Sequence, residues 1–183
     1  MVEAAMRILD RSPGSQLSLR TVAKEAGVAA PSLYRQFDDA SAMLSEVERE
    51  CWRQLGLEMS AAAEQVQEEP PLSRLQEQLG AYVRYAMQRP SRYQLLFATQ
   101  LSGDTDVDGP VRPAYRPVFE TIESHALLGG KLPTADTASS AILTISLAHG
   151  RIALAHLAPA RPGNSAPLVE GFIRETLGRL FAD

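Results

Sequence analysis

The sequence predicts an all-α protein of about nine helices, divided into a short N-terminal domain (1–45) and a larger helical domain (46–183). Three observations predict it. Apolar residues recur at a spacing near 3.6 over long stretches, and no segment alternates strongly with period two. Prolines and glycines punctuate the chain at intervals that suit helix ends. Hydrophobic residues make up 45% of the 183 residues, enough to bury a sizeable core.

Taken in order, the first helix spans 2–10, with Ala5, Ile8 and Leu9 inward, and Ser12-Pro13-Gly14-Ser15 breaks it. Ser18 can cap a second helix over 19–26, whose apolar stripe is Leu19, Val22, Ala23 and Ala26. Gly27 stands where a left-handed C-terminal residue is needed. A short third helix covers 30–36, and Asp38 or Asp39 caps a fourth over 40–65. Glu69-Pro70-Pro71 ends that stretch, because proline is tolerated only in the first turn of a helix. Helices then follow over 72–88, stopped by Pro90, and over 91–100. Residues 102–110 read as a loop, and Pro113 or Pro117 lies in the first turns of a helix closed by Gly129-Gly130. Thr134 caps a long helix to 157, and the last helix runs over 168–181.

Composition narrows the function. No run of about 18 apolar residues and no basic-then-apolar leader is evident, which predicts a cytoplasmic protein without membrane contact. Cys51 is the only cysteine, so no disulfide can form within the chain and no cysteine-rich metal site exists. His125, His149 and His156 lack the short spacing of a zinc motif. No metal or other cofactor is expected. The net charge of −4 argues against nucleic acid until its distribution is seen. From Arg11 to Phe37 the cations are Arg11, Arg20, Lys24 and Arg35, against the single anion Glu25, so that window carries 4 − 1 = +3. Phosphate attraction acts over only about 8–10 Å in salt, so the local sign decides.

The same window has the form of a helix-turn-helix: two short helices, a glycine-containing turn and a small shared core. Val22, Ala23 and Ala26 face Val28, Leu33 and Phe37, with Ile8 closing the core. That leaves Ala30, Pro31, Ser32, Tyr34, Arg35 and Gln36 on the edge that can enter a major groove. The run Leu19-Arg20-Thr21-Val22-Ala23-Lys24-Glu25-Ala26-Gly27-Val28, followed by Leu33-Tyr34-Arg35-Gln36-Phe37, resembles the DNA-binding region of the TetR family of bacterial regulators. The resemblance covers about the first 48 residues. Further on, Arg89-Pro90-Ser91-Arg92-Tyr93-Gln94-Leu95-Leu96-Phe97 and Leu147-Ala148-His149-Gly150 are similar to a TetR C-terminal type with a His-Gly step (WHG-like).

The resemblance implies a dimeric, ligand-responsive regulator, a repressor by default, and not an enzyme. It places Tyr34 on a phosphate, Ser18, Arg20 and Thr21 at backbone contacts, and Ser32 and Arg35 on the reading helix, where Arg35 can bond guanine bidentately. Three positions depart from the family's pattern. Ala29 replaces a capping Ser/Thr, Gln36 a histidine and Ala40 a lysine, which implies a weaker grip and a shallower salt dependence. Met1 also begins almost at the first helix, without the family's basic arm.

In the larger domain the resemblance implies a cavity for a mostly apolar effector, with candidate lining residues Trp52, Leu55, Met59, Tyr82, Tyr85, Phe97, Tyr115, Phe119 and His149. The plain alternative is that these fill a core. The last two helices are expected to pair with a second copy through Ile142, Ile145, Ile152, Leu168, Phe172, Ile173 and Leu177. The expected partners are thus a palindromic duplex, a small molecule and a second copy of the chain. Two rival functions remain: an enzyme using His149 as base, which lacks GxSxG, metal spacing and paired carboxylates, and a helical binding module with a vestigial head.

Overall fold

A computed structural model describes residues 1–11, 17–29, 32, 35–98 and 109–182. Among them the chain is helical and without strands: α1 (Val2–Arg11), α2 (Leu19–Ala26), α3 (Ala40–Glu64), α4 (Pro71–Gln88), α5 (Pro90–Ala98), α6 (Val111–Leu127), α7 (Thr137–Leu157) and α8 (Ala166–Leu180). The remaining expected helix, 30–36, lies mostly outside the described residues.

The chain divides into two compact units. The first joins Met1–Gln54 to Arg89–Pro110, and the second joins Leu55–Gln88 to Val111–Asp183. This grouping by contacts divides α3 and places α5 with the N-terminal unit. Packing explains the grouping: α5 lies against α1, and Phe97 meets Trp52 edge to face at 5.5 Å. Hydrophobic periodicity marks a buried stripe without saying which helix covers it.

The core of the first unit is small. Ala4, Ala5, Met6 and Leu9 of α1 are buried, as are Leu19, Val22 and Ala23 of α2 and Phe37. Val28 is instead exposed. In α3, Met43, Val47, Cys51 and Trp52 are fully buried, and Asp39 caps the helix by accepting from Ala42 N–H at 2.8 Å.

In the second unit, α4 is the central element. It buries Leu75, Leu79, Tyr82, Val83, Tyr85 and Ala86, and packs against α6, α7 and α8. Arg84–Glu170 and Arg174–Glu77 ion pairs, each at 2.6 Å, tie it to α8. Gly80 makes room for the first of these, since a β-carbon there would lie 2.7 Å from Glu170 Oε1. Asp136 caps α7, accepting from Ser139 N–H at 2.7 Å. The expected cap Thr134 instead donates its hydroxyl to Asp136 O. Over 21 residues with a mean hydropathy of 1.3 in its most apolar window, α7 is long and apolar enough by length and composition to cross a membrane, which the sequence reading overlooked. Only 33% of that window is buried within the chain, so much of its apolar surface faces outward.

Candidate nucleic-acid interface

Local chemistry fixes both ends of α2. Ser18 is extended (φ −133°, ψ 153°), and its hydroxyl accepts from Thr21 N–H at 3.1 Å. Thr21 Oγ1 accepts in return from Ser18 N–H at 3.0 Å, so Thr21 takes the place that glutamate or glutamine holds in most capping boxes. At the other end Gly27 adopts φ 69°. Val28 N–H reaches Ala23 O at 3.0 Å and Gly27 N–H reaches Lys24 O at 3.2 Å, the two bonds of a Schellman motif. A β-carbon at Gly27 would meet nothing within 4 Å, so the positive φ alone asks for glycine.

This geometry turns Leu19, Val22 and Ala23 inward and leaves Arg20, Thr21 and Lys24 exposed. It also separates the three residues expected at the start of α2. The hydroxyls of Ser18 and Thr21 are engaged with each other and with the Ser18 backbone. Arg20 makes no ion pair among the described residues and is the one with a cationic donor to offer.

Beyond Gly27 the chain turns, with Ser32 N–H donating to Ala29 O at 2.9 Å. Arg35 and Gln36 are exposed, Arg35 reaches the Ser32 hydroxyl at 3.4 Å, and Phe37 is buried as expected. Ala30, Pro31 and Tyr34 lie outside the described residues. Glu25 is held by Arg11 and by Arg7 Nε at 3.2 Å. Those hydrogen bonds, from Arg11 first and then Arg7, hold its carboxyl below the usual glutamate range. Arg11, counted toward the positive window, is thus balanced by Glu25, while Arg20, Lys24 and Arg35 form no ion pair among the described residues.

The candidate effector residues separate between the units. Trp52 and Phe97 belong to the first unit. In the second, Leu55, Met59, Tyr82 and Tyr85 are fully buried. Tyr115 donates its hydroxyl to Tyr82 Oη at 3.2 Å, and Tyr82 Oη lies 3.4 Å from His149 Nδ1. Burial pushes the Tyr115 phenol up to about 12, outweighing the Tyr82 hydrogen bond. Desolvation by burial lowers the His149 imidazole from its ordinary value, which favours its neutral form. Phe119 instead lines an outer groove of about 480 Å³ with Arg112, Pro113, Arg116, Glu120, Glu123, Thr137 and Ala138.

Sequence reasoning missed Gln78, which is 1% exposed. Its amide donates to Pro117 O at 3.1 Å and to Thr121 Oγ1 at 3.0 Å. Gln78 Oε1 and the buried Thr144 Oγ1 have no hydrogen-bond partner among the described residues. A glutamine inside the apolar stripe of α4 was the available signal.

The expected pairing residues also divide. Ile142, Leu168 and Phe172 are exposed and Ile145 is half-buried, whereas Ile152, Ile173 and Leu177 are sealed in the core. Side chains with no exposed area have none to bury against a second copy, so those three are core residues. Leu143, Leu154 and Leu157 are exposed on α7 and were not foreseen.

Comparison with known proteins agrees with this geometry. Residues 1–47 match the family described as bacterial regulatory proteins, tetR family, and residues 75–175 match the tetracyclin repressor-like C-terminal domain. The nucleoid occlusion factor SlmA of Marinomonas sp. (strain MWYL1) is 24% identical over 160 residues, covering 83% of this chain and 79% of that protein. A protein of unknown function from Rhodococcus sp. RHA1 superposes with a TM-score of 0.80 at 21% identity, covering all of this chain and 93% of the other. The TetR family transcriptional regulator PfmR of Thermus thermophilus superposes with a TM-score of 0.65 at 16% identity, covering 98% of this chain and 96% of that one.

Proposed function

The chain belongs to the tetR family of bacterial regulatory proteins, as a DNA-binding transcriptional regulator and not an enzyme, and from that premise we propose that it is an effector-released repressor acting as a homodimer on a palindromic operator. The observation that carries the DNA reading is α2, closed at both ends by its own caps, with Arg20 and Lys24 exposed and outside any described ion pair. The proposal puts Arg20 and Lys24 on phosphates and Arg35, with Ala30, Pro31, Ser32, Tyr34 and Gln36, in the groove. A gel-shift on the DNA upstream of the gene tests it. Arg35→Ala should relax sequence preference and cost about 1–3 kcal/mol if it reads a base. Lys24→Ala should weaken all duplexes alike and lower the salt slope by about one. Wild-type affinity in both variants removes the assignment.

The dimer reading is supported by the exposed apolar residues of α7 and α8: Ile142, Leu143, Leu154, Leu157, Leu168 and Phe172. Exposed apolar side chains on two neighbouring helices call for a cover, and a twofold copy of the same helices can supply one. Phe172→Glu should give monomers in sedimentation and abolish operator binding without unfolding the chain.

The effector reading places the ligand in the second unit, where Tyr82, Tyr115 and His149 form one hydroxyl–imidazole chain and Gln78 Oε1 and Thr144 Oγ1 await partners. Among the described residues no charged side chain is fully buried there, which favours an uncharged, mostly apolar effector carrying a hydrogen-bonding group. Release follows if the ligand binds better to a state in which the two heads are wrongly spaced, a coupling of about 1–3 kcal/mol in typical cases.

A further inference from the structure

Within the first unit, one side chain far from the motif in sequence ties three helices together. Arg92 of α5 grips Asp10 of α1 through two parallel bonds, Nε to Oδ1 at 2.7 Å and Nη2 to Oδ2. Its third nitrogen, Nη1, donates to Gln54 Oε1 of α3 at 2.8 Å. The Arg92 side chain is only 11% exposed, whereas Asp10 is 37% exposed, so the guanidinium is largely covered while its carboxylate partner still meets solvent. Gln54 is itself fixed, donating to Glu50 Oε1 at 2.9 Å. From the same stretch of α1, Arg7 and Arg11 reach across to Glu25 of α2. One set of charged contacts therefore ties α5 to α1, and a second ties the same stretch of α1 to α2, the helix that exposes Arg20 and Lys24.

We propose that Arg92 is a positioning residue for DNA binding: it sets the orientation of α1, and through α1 that of the motif, without touching the duplex. The physical need is clear from the core. Three of the seven side chains that α1 and α2 bury are alanines, Ala4, Ala5 and Ala23, and no aromatic is among them. Nonpolar packing that light is weakly directional, whereas a recognition site must hold its groups to within about 0.5 Å. A bidentate guanidinium–carboxylate pair supplies that direction, and lysine cannot reproduce it because it offers a point charge and no fork. The proposal rests on the DNA-binding reading above, and its test separates the two.

The test uses the full chain with Asp10→Asn, Arg92→Lys and the double variant. Each is measured for affinity to a duplex of its own upstream DNA, for affinity to a scrambled duplex of equal length, for thermal midpoint and for hydrogen exchange of the α1 amides without DNA. Each single variant should bind the upstream duplex about tenfold more weakly and the scrambled duplex within about twofold of wild type, with the midpoint little changed. The double variant should be no weaker than the worse single, because both remove one interaction. The α1 amides should exchange faster in all three. Wild-type affinity for the upstream duplex overturns the proposal. So does an equal loss on both duplexes with a large fall in midpoint, which is what a merely structural pair gives. If the wild-type chain does not distinguish the two duplexes, the DNA-binding reading has failed; unchanged α1 exchange in the variants then removes the clamp as well, and faster exchange upholds it as the device that orients α1.

Discussion

Gly56→Ala sets two known effects against each other at the crossing of α3 and α6. Gly56 is buried in the middle of α3, where alanine is worth about 1 kcal/mol more than glycine in intrinsic helix stability. A β-carbon there would lie 3.0 Å from Ala114 Cα and 3.3 Å from Ala114 O, both backbone atoms of α6. Carbon atoms prefer about 3.5–4.0 Å, so the helices must part by roughly half an ångström or more, and no side chain can rotate away to relieve the contact. Overpacking of this kind costs about 1–3 kcal/mol. The net effect is a destabilisation of up to about 2 kcal/mol despite the better helix former, or roughly 4–8 °C in thermal midpoint for a chain of this size. Gly178→Ala is the control. It too lies within a helix, but the nearest atom its β-carbon would meet is Gln76 Nε2, at an ordinary 3.9 Å, so it should gain about 1 kcal/mol. Urea midpoints of both variants at one protein concentration decide the matter. A Gly56→Ala protein stabilised as much as Gly178→Ala would refute the close helix crossing.

Three further outcomes are expected. Ser18→Ala should lower stability by about 1 kcal/mol, since Thr21 N–H loses its acceptor, and Ser18→Asp should restore most of it in the same melt. His149 and His156 are both lowered by burial from 6.5, so the folded chain resists charging them; stability should be full above about pH 6.5 and decline as the pH falls through their lowered values. Urea midpoints at pH 7.5 and 5.5 should differ less in His149→Asn, and an unchanged slope there and in His156→Asn would sink the assignment. Gly150→Ala meets nothing within 4 Å inside the chain, so its methyl should stabilise α7 yet weaken self-association if α7 faces a second copy; sedimentation over a range of concentrations reads the result.

The local signals of the head were legible because they act between near neighbours. Ser18 and Gly27 close α2 as expected, since caps and left-handed turns depend on a few adjacent residues. Thr134 misled for a related reason: two hydroxyl or carboxylate residues stood within reach of the start of α7, and Asp136 took the amide. What did not show was anything that depends on which helix covers which. Ile152, Ile173 and Leu177 carry the same apolar signal as Ile142 and Phe172, and only the packed structure sorts core from outer face. The Arg92–Asp10 clamp joins residues 82 apart, and no spacing rule reaches that far. Gln78 was passed over because a polar residue in an apolar stripe reads as noise until its partners are known.

The discontinuity of the first unit has a consequence for how the chain is made and recombined. A nascent chain that has emerged only as far as Gln54 carries α1, α2 and the start of α3, but its Trp52 lacks Phe97 and its Asp10 lacks Arg92. The head therefore cannot settle into its final packing until α5 has left the ribosome, although N-terminal segments generally fold first. Chimeras cut near residue 47, where the tetR family match ends, would leave that clasp behind. To transplant the head intact, the donor must contribute α5 as well.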